Sequence, residues 1–133
     1  MLKNLGLSAK ERIKKLSEFR KVFKEGKAIL SLNKKLKVYY FLIKETDTTE
    51  IKIAVTINKK NGNAVWRNRL RRLIKESYRL SKKELVLTCS EKKCSLYFII
   101  NPIGFNKNGY PKIKLKDIRY LVEDVLRKVI AEI

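Results

Sequence analysis

Four arginines fall within six residues of this 133-residue chain, Arg67, Arg69, Arg71 and Arg72, with Lys75 and Arg79 following. A guanidinium can hold two phosphate oxygens at once through parallel N–H donors, so the cluster suits a phosphate-rich ligand better than a generic anionic surface. Read at the helical period, residues 63–80 (NAVWRNRLRRLIKESYRL) divide into two faces. Val65, Trp66, Leu70, Leu73, Ile74, Ser77 and Leu80 form the apolar face, and Arg67, Asn68, Arg71, Arg72, Lys75 and Arg79 the other. Arg69 sits at the edge of the apolar face beside Glu76. Arg67, Arg71 and Lys75 stack at i, i+4 and i+8, a like-charge row that destabilises a helix unless an anion lies along it. The positive end of the helix dipole near Asn63 strengthens the field, and Lys59 and Lys60 extend it upstream.

The residue types that let a protein cut a phosphodiester unaided are missing or scattered. The chain has no His, which removes the usual proton shuttle at neutral pH and the usual zinc partner. Asp47 and Glu50 fall in an expected loop, Asp117 and Glu123 on the polar side of an expected helix, so no carboxylate cluster for metal-assisted hydrolysis assembles. No nucleophile motif or phosphate loop occurs. Cys89 and Cys94 have no other soft ligands nearby and read as ordinary thiols of a reducing cytoplasm. The expectation is a protein with no catalytic residue and no metal ligand of its own.

Composition also asks for an anionic partner. Lys and Arg number 33 against 13 Asp and Glu, a formal net charge of +20, while 44% of residues are apolar, enough for a real core. A domain this basic repels itself until an anion relieves it, and nucleic acid is the commonest such anion. A membrane-surface helix needs its apolar face for lipid, whereas here that face is needed by a sheet. A DNA recognition helix needs a preceding helix and tight turn, and the segments before residue 63 read as strands. A merely solvated face intersperses Glu among its cations. No run of about 18 apolar residues occurs, so no bilayer span is expected. Met1 to Arg12, polar and broken by charges, does not read as a secretory segment.

The elements that must position these residues follow from periodicity. With no repeat, low-complexity tract or linker, residues 1–133 read as one RNA-binding domain, 1–15 being a basic arm that orders only partly on its own. A short helix begins with Ser17 as N-cap, carries Phe19, Val22 and Phe23 on one face, and ends at Gly26 in the C′ position. Lys37–Ile43 (KVYYFLI) reads as a strand, and 51–57 (IKIAVTI) alternates, Ile51, Ile53, Val55 and Ile57 facing one way and Lys52, Ala54 and Thr56 the other. The polar stretch 44–50 between them reads as a hairpin loop. A further strand at 28–32 is weakly signalled. After the turn Asn61-Gly62-Asn63 and the long helix, 96–100 (LYFII) reads as a strand covered on both faces. Residues 104–111 form a loop. A last amphipathic helix, 115–133, carries Leu115, Ile118, Leu121, Val122, Val125, Leu126 and Val129 as its stripe, with Arg119, Glu123, Asp124 and Arg127 away from it. The order predicts an α+β sandwich of a sheet with helices packed on it.

The string Lys59-Lys60-Asn61-Gly62-Asn63-Ala64-Val65-Trp66-Arg67-Asn68-Arg69-Leu70-Arg71-Arg72-Leu73-Ile74-Lys75-Glu76 resembles the signature of the bacterial ribonuclease P protein family, KK-x-GNAV-x-RNR-x-(K/R)R-x-x-(R/K)E. Upstream, Glu11-Arg12-Ile13-Lys14-Lys15 and Phe19-x-x-Val22-Phe23-x-x-Gly26 are similar to that family's ERLKK and F-x-x-V-(F/Y)-x-x-G. The likeness covers most of the chain in order. Asn58 stands where the family usually has Ser, Asn61 where it has a small apolar residue, and Asn101-Pro102 where Arg-Pro is common.

The resemblance implies a two-layer α-β sandwich with a mainly antiparallel sheet of about four strands and a left-handed β-α-β crossover. It implies a protein subunit of ribonuclease P, an endoribonuclease that removes the 5′ leader of precursor tRNA, with the catalytic centre in the RNA subunit. The cofactor is Mg2+, held mainly by that RNA; the partners are the catalytic RNA and precursor tRNA, not DNA or membrane. Carried over by position, Lys59, Lys60, Asn63, Arg67, Asn68, Arg69, Arg71, Arg72 and Lys75 would face the RNA subunit. Phe19, Phe23 and an aromatic of the first strand, Tyr39, would line a leader-binding cleft, since single-stranded RNA is held by aromatic platforms in a positive groove. Tyr40 competes with Tyr39, because one residue of strand register exchanges them. The alternative from another class is a non-enzymatic RNA-binding protein, such as a ribosomal or assembly protein of similar shape.

Overall fold

Period-two alternation in three strands decides which helices lie where. The computed structural model describes residues 11–133. Their order is α1 (Leu16–Glu25), β1 (Lys27–Leu30), β2 (Lys37–Ile43), β3 (Ile51–Val55), α2 (Ala64–Ser81), α3 (Lys83–Glu91), β4 (Ser95–Asn101) and α4 (Leu115–Glu132). Val38, Tyr40, Ile51, Ile53, Leu96, Phe98 and Ile100 turn to one side of the sheet and join Trp66, Leu70, Ile74 and Tyr78 of α2 and the stripe of α4 in the main core. Burial of each such side chain contributes about 1.5–3 kcal/mol, so this layer is the stable one. Tyr39, Phe41, Ala54, Tyr97 and Ile99 turn the other way, where Ile13, Val22 and Phe19 pack with them in a small second core. The fold is the α+β sandwich expected: helices on a four-stranded, mainly antiparallel sheet. Among the described residues no helix is long and apolar enough to cross a membrane.

The sheet order is β1-β2-β4-β3, which corrects the expected hairpin between β2 and β3. β4 lies between them, antiparallel to β2 and parallel to β3. Burial explains the choice. Both faces of β4 are apolar, Leu96, Phe98 and Ile100 on one and Tyr97 and Ile99 on the other, so it belongs in the middle. β3 carries Lys52 on its second face and tolerates an outer position. Residues 44–50 therefore wrap the start of β4: Thr46 N–H donates to Lys93 O at 2.9 Å and Glu50 N–H to Ser95 Oγ at 2.9 Å. β3 and β4 become parallel neighbours joined through α2 and α3, the β-α-β unit of the fold.

Local details differ from expectation for identifiable reasons. α1 starts at Leu16 with extended Lys15 as its N-cap, and Lys15 O accepts from Glu18 and Phe19 N–H, so Ser17 lies inside the first turn. Gly26 ends α1 with an extended backbone (φ −82°), not a left-handed one. Its glycine is required by close approach: a Cβ there would lie 2.3 Å from Val22 O and 2.4 Å from Tyr40 O. The weakly signalled strand exists as β1, pairing with β2. α3 was not expected; it follows α2 after Lys82 and buries Leu85 and Cys89. Val65, placed on the apolar face by periodicity, is 80% exposed beside the buried Trp66, while Tyr78 takes an unforeseen place in the core. Asp124, expected on the polar face of α4, is buried; it accepts from Leu32 N–H at 3.1 Å and pairs with Lys128 at 3.1 Å, pinning the turn between β1 and β2 to α4.

Of the expected arm, residues 1–10 lie outside the described residues. Arg12 bridges Ile53 in parallel, Ile13 N–H donates to Ile53 O at 3.1 Å, and the Ile13 side chain is buried. This segment covers the open edge of β3.

Candidate nucleic-acid interface

The start of α2 is fastened by its own sequence. Asn58 caps a single 3-10 turn at Lys59–Asn61, and Asn63 caps α2, its Oδ1 accepting from Trp66 N–H at 2.9 Å. Trp66, Leu70, Ile74, Ser77 and Tyr78 are buried, which fixes the rotation of the helix. Asn68 and Arg72 are thereby exposed, while Arg67, Arg71 and Lys75 lie half-buried along the margin of the core. Arg67 Nε donates to Gly62 O at 3.1 Å, so one of its five donors is used locally. Arg71 Nη1 donates to Asn68 Oδ1 at 2.9 Å, which aligns two neighbouring polar groups of the row. Burial pushes the Lys75 ammonium pKa down, and Arg12 and Arg71 beside it push the same way. Desolvation is the larger of these effects, and the neighbouring cations add to it.

The structure brings together Arg67, Asn68, Arg71, Arg72 and Lys75 on one side of α2, with Lys59 and Lys60 exposed on the turn leading in. Two other residues are engaged elsewhere. Asn63 is the helix cap, and Arg69 Nε donates to Ile113 O at 2.8 Å, outside the Arg67–Arg71–Lys75 row. Glu76 does not neutralise Arg69; it binds Arg79 through two hydrogen bonds, the closer partner by helical spacing, and that bond lowers the Glu76 pKa.

A second candidate surface lies across the sheet, between α1 and the strands. Tyr40 is 4% exposed in the main core, so its neighbour Tyr39 faces α1, which answers the register question. The Phe23 and Tyr39 rings meet edge to face with centroids 4.8 Å apart, and Lys37 Nζ stands 5.0 Å above Tyr39. Phe23 is 48% exposed, whereas Phe19 packs partly into the small core. Phe41, under Lys21 Nζ at 5.4 Å, and Tyr97, under Lys52 Nζ at 5.3 Å, continue the floor. Sequence reasoning missed both, although alternation from Tyr39 to Phe41 and the second position of LYFII carried the signal. Lys52 pairs with Glu18 at 2.9 Å, tying α1 to β3. Burial alone would raise the Glu18 pKa; the Lys52 hydrogen bond and charge outweigh it and hold the carboxyl below its ordinary value.

Among the described residues no group of three or more His, Cys, Asp or Glu is placed to hold a metal ion. Glu18 is already committed to Lys52 and Glu76 to Arg79. These carboxylates do not fit a magnesium cage. What the two surfaces can do is bind: one offers a row of cations, the other aromatic rings under lysine ammonium groups.

The Ribonuclease P family model matches residues 7–125. The Ribonuclease P protein component of Clostridioides difficile is 45% identical over 74 residues, which is 56% of this chain and 60% of that protein. The corresponding component of Staphylococcus epidermidis is 35% identical over 75 residues, covering 56% and 62%. These matched stretches span less than two thirds of the curated relatives' length. The structure of Staphylococcus aureus RNase P protein superposes with a TM-score of 0.63 at 25% identity, covering 90% of this chain and 94% of that one. The RNase P protein from Thermotoga maritima shares the fold, with a TM-score of 0.62 at 21% identity over 89% and 96% of the two chains.

Proposed function

The chain belongs to the ribonuclease P protein family, and from that membership we propose that it is the protein subunit of an endoribonuclease that removes the 5′ leader of precursor tRNA. Its partners are the catalytic RNA, met by α2, and the precursor, whose leader lies between α1 and the sheet. The place of action is the cytoplasm.

The observation that carries this reading is the like-charge row Arg67, Arg71 and Lys75 that the rotation of α2 sets side by side, where burial first and then Arg12 and Arg71 push the Lys75 ammonium pKa down. RNA phosphates along the row would remove that repulsion and release counterions. Lys59, Lys60, Asn68 and Arg72 border the same contact. Arg69 contributes through the guanidinium nitrogens not directed at Ile113, and Asn63 chiefly by fixing the first turn of α2 that presents the others. On the opposite face of the sheet, Tyr39, Phe23 and Phe19 give unpaired bases π-faces to stack on, while Lys37 over Tyr39 and Lys21 over Phe41 supply the positive groove. Such contacts ignore base identity, as a subunit that serves every precursor requires.

In this reading Mg2+, which would activate water for phosphodiester hydrolysis, is held mainly by the RNA subunit. The protein's work is positional: it screens repulsion between two RNAs and holds the leader extended. The test is reconstitution with a bacterial ribonuclease P RNA at low magnesium, following release of the 5′ leader. Accurate cleavage that needs both components, and tighter binding of precursor than of mature tRNA, is the expected result. No stimulation of an RNA that responds to another protein of the family would leave only a general RNA-binding domain. Cleavage by the protein alone would overturn the assignment of chemistry to RNA.

A further inference from the structure

Residues 102–114, between β4 and α4, form a strap laid along the first two turns of α2. Asn61 Nδ2 donates to Phe105 O at 3.0 Å, and Lys107 N–H donates back to Asn61 O at 2.8 Å. Trp66 Nε1 donates to Tyr110 O at 2.8 Å, and Arg69 Nε to Ile113 O at 2.8 Å. The hydrogen bonds advance together in both segments, so strap and helix run side by side in the same direction. Phe105 and Ile113 are buried, and Gly104 lets the strap close on Lys35, where a Cβ would lie 2.7 Å from the Lys35 Cα. A 13-residue connection fixed at so many points is unusual, since loops of that length are commonly functional or disordered.

The strap carries charge of one sign. It holds Lys107, Lys112 and Lys114 and no acidic residue. Lys107 lies against Gly62 at the entry to α2, its Cβ 3.3 Å from the place a Gly62 Cβ would take, and Lys112 adjoins the Arg69 anchor at Ile113. Both lysines are exposed. Val65, 80% exposed on the first turn of α2, is an apolar residue left amid these cations, as a surface that becomes covered would leave it. The buried anchors explain why the strap is ordered; they do not explain why its outward positions are lysines beside an already crowded cationic helix.

We infer that the strap is a second RNA-binding element, in which Lys107 and Lys112 contact phosphates of the same large RNA that lies on α2. The inference rests on the function proposed above and widens the RNA-binding surface from one row of cations to two, on either side of the Val65 turn. Arg69 is the joint between them, its Nε holding the strap in place.

The test measures binding of ribonuclease P RNA to K107A/K112A over a range of salt, beside R71A/R72A and the wild type. Because K107A/K112A leaves two phosphates without their cations, the slope of log affinity against log salt should shrink by about 1.4–1.8, with affinity down on the order of tenfold near physiological salt. K107E/K112E should bind more weakly still, and the thermal midpoint of K107A/K112A should match wild type, because the strap is held through backbone carbonyls and buried rings. Wild-type affinity and slope in K107A/K112A, alongside weakened R71A/R72A, would overturn the inference and leave the strap a structural brace. Unweakened RNA binding with a reduced preference for precursor over mature tRNA would also overturn it, assigning the strap to the tRNA. If the wild type itself failed to bind the RNA, the proposed function would fall, and the strap assignment with it.

Discussion

The Phe23 ring stands edge-on to Tyr39, 4.8 Å between centroids and 63° between planes, so a helix and a strand with β1 between them in sequence share one aromatic wall. Val22, the neighbour of Phe23, is the fully buried anchor of α1, and Tyr40, the neighbour of Tyr39, is buried in the opposite core. Each pair thus splits into one residue that holds the fold and one left half-free at the groove.

That split predicts opposite phenotypes for adjacent tyrosines. Tyr39→Ala should cost far less stability than the same change at Tyr40 and weaken precursor tRNA binding about tenfold or more, since stacking contributes ~1–3 kcal/mol per base. Mature tRNA binding should not move. Tyr40→Ala should destabilise the fold by on the order of 3 kcal/mol through the cavity it leaves. Denaturant melts and binding of both tRNA forms check the pair; equal loss of stability in the two variants would contradict the groove.

Replacing Arg67 and Arg71 with Ala should weaken assembly with the RNA subunit and lower the salt slope, by ~0.7–0.9 for each phosphate-binding cation removed. The free protein should be at least as stable as wild type, because a like-charge row is relieved. Loss of folding cooperativity in the double variant would make the pair structural, with the Arg67–Gly62 hydrogen bond the first suspect.

Asn63 separates capping from RNA contact. Asn63→Ala should cost about 1 kcal/mol, the usual loss when an N-cap acceptor is removed. Asn63→Asp keeps the acceptor and suits the helix dipole, so its thermal midpoint should hold, while the new negative charge beside Lys60 and Arg67 should weaken RNA binding. An unstable Asn63→Asp would contradict the capping geometry.

The Glu18–Lys52 pair gives stability a pH dependence at the acid end. The folded Glu18 pKa lies below 4.5, chiefly because the Lys52 bond outweighs burial. A carboxylate depressed on folding stabilises the native state above its unfolded pKa, and that contribution disappears as pH falls through the folded value. Wild type should therefore be more stable than Glu18→Gln near neutrality, and the gap should close below pH 4.5. Thermal melts of both proteins from about pH 7 to about pH 3 read it directly. A gap independent of pH would assign the effect to packing of α1.

Bound anions should stabilise the free protein, since a formal charge of +20 is otherwise unrelieved. Phosphate should raise the melting midpoint more than chloride at equal ionic strength, and Arg71→Ala should reduce that difference. An identical response to both salts would reduce the effect to screening.

Much of this was written locally. The span of α2, its basic face, the existence of β2, the alternation of β3, and the double apolar coverage of β4 follow from side-chain periodicity and near-neighbour sterics, which act within a few residues. The cluster from Lys59 to Lys75 and the aromatic pair Phe19 and Phe23 were legible for the same reason. Partners distant in sequence were not. β4 took the centre of the sheet from β3 because burial of two apolar faces outweighed the short connection a hairpin offers, a competition no window of residues contains. Tyr39 and Tyr40 were interchangeable until the main core claimed one of them. Arg69, read at the edge of the apolar face, had no partner in view until the strap brought Ile113 O within 2.8 Å, and Glu18 had no reason to meet Lys52 until α1 packed over β2 and β4. Propensity and periodicity act along the chain, while pairing and burial are settled between segments by the whole core at once.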